Sequence, residues 1–126
     1  MVVVFDTYSW IEYFEGSKQG MVVKDHLENY DIITPSITLL ELSYKADKEG
    51  WDFEKHLEFI KTNSKIIGFN DEFVLNFGRI YNKVKKKIRE IGLADIIILT
   101  TAQMNNAKIL TGDPHFKSFS ETIFLG

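Results

Sequence analysis

Four acidic residues far apart in the chain, Asp6, Glu41, Asp95 and Asp113, are the ones whose types and settings point to chemistry. Asp6 ends the apolar run Val2-Val3-Val4-Phe5, and Asp113 follows the run Lys108-Ile109-Leu110-Thr111, each as the residue that would leave a strand. Glu41 sits inside Ile37-Thr38-Leu39-Leu40-Glu41-Leu42, and Asp95 opens Ala94-Asp95-Ile96-Ile97-Ile98-Leu99. A carboxylate in such apolar company needs a partner, and a divalent cation with a taste for oxygen ligands supplies one. There is no cysteine, so a thiolate nucleophile and a thiolate zinc site are both excluded.

The elements that must position these acids follow from hydrophobic periodicity. Short apolar runs alternate with longer helical patterns, which predicts an α/β fold of three layers with a central, mostly parallel sheet of four to five strands. Strands are expected at Val2 to Phe5, Asp31 to Thr34, Lys65 to Ile67, Lys108 to Thr111 and, as a final edge strand, Thr122 to Leu125. Helical patterns cover Tyr8 to Glu15, Met21 to Asn29, Trp51 to Thr62, Asp71 to about Arg89 and Asp95 to Asn105. Another helix starts around Thr34-Pro35-Ser36, with Thr or Ser as its cap and Pro in its first turn, and runs to about Glu49. Gly16 and Gly50 are placed to end helices. At 126 residues, 44% hydrophobic and 26% charged, without repeat or linker, the chain is expected to form one domain, residues 1–126.

Parallel strands joined by helical crossovers direct all their carboxyl ends to one edge, where the N-termini of the returning helices also lie. Asp6 and Asp113 are strand ends at that edge, Glu41 is in the second turn of the helix after the second strand, and Asp95 is at the start of a helix that leads into a strand. Each has a structural use of its own: Asp6 and Asp95 could cap helices, Asp113 in Thr111-Gly112-Asp113-Pro114 could shape a turn, and Glu41 could face solvent. Convergence discriminates, because four ionised carboxylates in one place repel and raise one another's pKa unless a cation neutralises them. Mg²⁺ or Mn²⁺ suits an oxygen-only set, and one or two such ions suit phosphate chemistry. Two other folds of this size are disfavoured by visible residues. A receiver domain wants an adjacent acidic pair after strand one, and a haloacid-dehalogenase-type phosphatase wants Asp-x-Asp where this chain has Asp6-Thr7-Tyr8.

Phe5-Asp6-Thr7 followed by Ser9 to Phe14, then Ser36 through Glu41-Leu42, then Gly92 to Ile98, then Leu110-Thr111-Gly112-Asp113-Pro114-His115-Phe116 closely resemble the PIN-domain nucleases, especially the VapC-type toxins of toxin–antitoxin pairs. The resemblance spans essentially the whole chain. It implies a Mg²⁺- or Mn²⁺-dependent endoribonuclease with Asp6, Glu41, Asp95 and Asp113 as catalytic metal ligands, a cognate antitoxin gripped by the early helices, and a homodimer. It also implies that Thr111 supports the last acid, with Thr7 or Ser9 orienting Asp6 or a water. Within the family, a non-toxin nuclease of RNA processing and a catalytically silent, partner-binding domain are the alternatives. Two departures stand out: Tyr8 occupies a position where relatives often have Ser, and His115 one where many have an acid.

Charge and hydropathy bound the partners. A net charge of −3 argues against a general grip on nucleic acid, so any RNA-backbone surface must be local. Lys83, Lys85, Lys86, Lys87 and Arg89 form the best candidate, although cations late in a helix also favour its dipole. His115 could contact a phosphate, while a lone His in a turn is ordinarily a solvated side chain. No run reaches the roughly 18 apolar residues of a membrane span, and no charged segment precedes an apolar one at the N-terminus. A cytoplasmic protein without membrane contact is expected.

Overall fold

The computed structural model describes residues 1–126. Five strands form one sheet in the order β3-β2-β1-β4-β5: β1 (Val2–Phe5), β2 (Asp31–Pro35), β3 (Lys65–Ile67), β4 (Lys108–Thr111) and β5 (Thr122–Phe124). Every neighbouring pair is parallel, so the sheet is wholly and not mostly parallel. Six helices connect and cover it: α1 (Thr7–Glu15), α2 (Lys18–Asn29), α3 (Ser36–Glu49), α4 (Phe53–Asn63), α5 (Asp71–Lys87) and α6 (Leu93–Met104).

The strands are short and rich in Val and Ile because both of their faces are buried. Val3, Phe5, Ile32 and Leu110 point to one side, where they meet Trp10 of α1, Val23 of α2, Leu42 of α3 and Ile60 of α4. Val4, Ile33 and Ile109 point to the other and meet Ile80 and Val84 of α5 together with Ile96, Leu99 and Ala102 of α6. This alternation makes the sheet the middle layer of three. Each fully buried aliphatic side chain contributes about 1.5–3 kcal/mol. No helix is long and apolar enough to cross a membrane.

Helix ends follow local chemistry with one correction. Asp6, Ser17, Asp52 and Asn70 cap α1, α2, α4 and α5 by accepting backbone hydrogen bonds, and α1 and α3 stop at Gly16 and Gly50, both at positive φ. The Thr or Ser cap expected for α3 is absent. Pro35 stands at that position as the last residue of β2, without a side-chain cap. Thr34 is unavailable because it is a strand residue whose hydroxyl accepts from Trp10 Nε1 at 3.1 Å and pairs with Ser64 Oγ at 2.8 Å. Helix α6 starts two residues before Asp95, which therefore lies in its first turn.

The chain order places β1 centrally: β2 and β3 are laid down on one side of it, β4 and β5 on the other. The loops leaving β1 and β4 diverge to opposite faces, and such a switch point opens a crevice at the carboxyl edge of a parallel sheet.

Candidate metal centre at the carboxyl edge of the sheet

Asp6 and Asp113 leave the two adjacent strands that flank this crevice. The register pairs Phe5 with Leu110, so the next residues along, Asp6 and Thr111, come side by side. The Thr111 hydroxyl donates to Asp6 Oδ2, and the Ser9 backbone N–H donates to Asp6 Oδ1 at 2.9 Å. The Ser9 hydroxyl donates to the Leu110 carbonyl and ties α1 to β4. The two strand ends are thus locked together by the side chains that follow them.

The other two acids come from helices. Glu41, on α3, accepts a hydrogen bond from the Thr7 hydroxyl at 2.6 Å, so Thr7 orients Glu41 and not Asp6. Asp95 projects from the first turn of α6, where the helix dipole favours an anion. Asp113 receives the N–H of His115 at 2.9 Å and caps a short 3₁₀ turn, Pro114–Phe116, while its own N–H donates to Thr111 Oγ1 at 3.0 Å. Thr111 therefore serves both Asp6 and Asp113. All four acids line one cavity of about 250 Å³, shared with Thr7, Tyr8, Ile98, Gly112 and Pro114.

Electrostatics test whether this set fits a cation. Asp6 is buried, and desolvation pushes its carboxyl up to about 7, against the pull of the hydrogen bonds from Thr111 and Ser9; the charge of Asp113 pushes the same way. Asp95 is raised too, first by burial, then by Asp113 and further by Glu41, with His115 opposing. The protein's own donors do not compensate the buried charge. A carboxylate has about four lone-pair sites, and Asp6 accepts only two protein hydrogen bonds, so lone pairs remain for an ion. The donor set is carboxylate oxygens at a helix N-terminus and strand ends, which suits a hard divalent cation. The residues fit one.

Two features escaped the sequence reading. His115 is an exposed residue of the turn, yet its Nδ1 lies 3.3 Å from Asp113 Oδ1 and 3.5 Å from Asp95 Oδ2. It stands beside two of the acids. Tyr8 forms a wall of the cavity, its hydroxyl anchored on Gln19 Oε1 at 2.5 Å. A Cβ at position 112 would come within 2.2 Å of the Tyr8 ring, so the glycine between Thr111 and Asp113 makes room for that wall. The pairing of a bulky residue two places after Asp6 with a glycine before Asp113 is the only sequence signal of it.

Within the basic run Lys83, Lys86, Lys87 and Arg89 are exposed, while Lys85 is half-buried. Lys85 Nζ donates to the Arg89 and Ile91 carbonyls at 2.9 and 2.7 Å, closing the end of α5. Lys83 and Lys87 line a groove with Arg79, Gln103 and residues 118–121, none of which lines the acid cavity.

The chain is thus a parallel α/β/α sandwich with four carboxylates converging at its switch point. The PIN domain family profile matches residues 3–121, and the chain belongs to that family, whose members are nucleases. No curated protein matches the chain. Among solved structures, a chain of VapBC2 from Rickettsia felis, bound to a DNA fragment from their promoter, superposes with a TM-score of 0.77 at 22% identity, covering 98% of this chain and 97% of that one. A toxin–antitoxin complex from Klebsiella pneumoniae gives 0.76 at 21% identity over 98% of each chain. DNA-bound VapBC from Salmonella typhimurium gives 0.77 at 17% identity over 100% and 99%. These likenesses establish a shared fold.

Proposed function

We propose that residues 1–126 act as a single domain that is a Mg²⁺- or Mn²⁺-dependent endoribonuclease, the toxin of a toxin–antitoxin pair. The observation that carries the reading is the convergence of Asp6, Glu41, Asp95 and Asp113 on one cavity in a PIN-family chain. These four side chains are the metal ligands. When bound, such an ion polarises a phosphoryl oxygen and lowers the pKa of a water. The protein supplies the rest. Thr111 and the Ser9 amide hold Asp6, Thr7 holds Glu41, and the 3₁₀ turn holds Asp113, so the ligands are aligned before substrate arrives. Tyr8 and Ile98 form the apolar part of the cavity wall.

Lys83, Lys86, Lys87 and Arg89 are exposed and would take the RNA backbone beyond the point of cleavage. The antitoxin partner is supported by neighbours that are VapBC complexes, and a homodimer and action in the cytoplasm by the VapC resemblance.

Incubation with structured RNAs in Mg²⁺ or Mn²⁺, and in chelator, tests the proposal. The expected outcome is cleavage that needs the ion and is lost in Asp6→Asn and Asp95→Asn; cleavage that persists in chelator overturns it.

A further inference from the structure

The imidazole of His115 stands between two carboxylates without a hydrogen bond of normal length to either. Its Nδ1 is 3.3 Å from Asp113 Oδ1 and 3.5 Å from Asp95 Oδ2, outside the 2.7–3.2 Å of an ordinary N–H···O contact. The three residues offer one ligand atom each, all within 4.8 Å of one another. Around an octahedral ion with bonds of about 2.1 Å, neighbouring ligand atoms are about 3 Å apart and opposite ones about 4 Å. The two nitrogen–oxygen separations, 3.3 and 3.5 Å, are close to the spacing of neighbouring ligands, and the third pair lies within 4.8 Å.

The presentation of the ring is fixed by the chain. Pro114 starts a 3₁₀ turn, the His115 N–H is bonded to Asp113 Oδ1, and the Phe116 ring at the next position is fully buried. His115 and Asp113 are therefore held in one rigid turn, and Asp95 faces them from the first turn of α6. The other two histidines, His26 and His56, lie on α2 and α4, and neither is grouped with carboxylates that could share an ion.

We infer that His115 is a metal ligand, giving the proposed ion a nitrogen donor through Nδ1 beside Asp95 and Asp113, and that the site consequently favours Mn²⁺ over Mg²⁺. This rests on the metal reading of the same site. Imidazole nitrogen bonds transition ions better than it bonds Mg²⁺, which prefers an all-oxygen shell. Exchanging an acid for His also removes a negative charge from the shell and so weakens the purely electrostatic hold on Mg²⁺.

The test is pulsed EPR of the full chain loaded with Mn²⁺, with calorimetric titration of Mn²⁺ and Mg²⁺ alongside. The expected result is a directly coordinated ¹⁴N signal that disappears in His115→Ala, and a Mn²⁺ affinity that falls on the order of 10-fold or more in that variant while Mg²⁺ affinity changes little. His115→Asp should shift preference back towards Mg²⁺. The His115 side chain is 44% exposed, so these variants should keep the fold, which circular dichroism checks. Bound Mn²⁺ without a nitrogen signal, or an unchanged Mn²⁺ to Mg²⁺ ratio in His115→Ala, would overturn the inference and leave the carboxylate site standing. Failure of the parent chain to bind either ion would sink both readings.

Discussion

The two edges of the sheet carry cavities of opposite character. At the edge where strands end, four acids line about 250 Å³, a histidine stands beside two of them, and α1 and α6 begin there. At the edge where strands start, a cavity of about 560 Å³ lies among Val2, Asp31 and Lys65, where α2, α4 and α6 end. The larger one has a single charge of each sign, and its polar groups are largely hydroxyls and amides of residues closing the helices. Helix N-termini favour anions and their C-termini do not. In a parallel sheet this asymmetry assigns binding of anions and their counter-ions to one edge, whatever the size of the space at the other.

The contrast predicts a graded series. Asp6→Asn and Asp95→Asn each remove a proposed ligand and should lower RNA cleavage on the order of 10²-fold or more; rates within a few-fold of the parent would erase the distinction between the edges. Thr7→Val removes the hydrogen bond that aims Glu41. A loss of roughly 10-fold is expected, with unchanged thermal stability, because the carboxylate remains but is no longer oriented. Thr62→Ala with Asn63→Ala, at the opposite edge, should change cleavage by less than about 2-fold, in keeping with surface changes away from the chemistry.

A pH series on the metal-free protein sharpens the comparison further. The Asp6 pKa is raised from 3.8 to about 7 in the folded chain. Between those values the native state holds a proton that the unfolded chain has released, so stability falls as pH rises through this window and levels off above it. Asp95 acts in the same direction. In chelator, the melting temperature should be higher near pH 5 than near pH 8 by about 5 °C. Mn²⁺ should raise the value near pH 8 and narrow the gap, since an ion stabilises the charged form. A melting temperature that climbs steadily across this range in chelator would mean that Asp6 is not a buried, uncompensated carboxylate.

The sheet was legible in the chain because four-residue Val and Ile runs, buried on both faces, leave little freedom of assignment. The same topology took the acids to one edge: a strand end or a first helical turn has only one place to go. What escaped depends on side-chain placement. The run at Lys83 to Arg89 reads as a continuous charge, yet Lys83 and Lys87 share a face one helical turn apart while Lys85 folds back on the carbonyls beyond α5. Thr34 reads as a cap, but β2 extends one residue further than the pattern suggests and its hydroxyl is committed to Trp10 and Ser64. His115 reads as a turn residue because neither the 3₁₀ turn nor the approach of α6 is visible in the local sequence.

The central claim, that the acid edge directs a metal-activated water at RNA, is tested most directly by the product ends. Mass spectrometry of short RNA cut by the wild-type chain in Mn²⁺ and oxygen-18 water should show a linear terminal phosphate carrying one label and no cyclic species. A 2′,3′-cyclic phosphate product would mean that the RNA hydroxyl, not water, is the nucleophile, and would contradict the account.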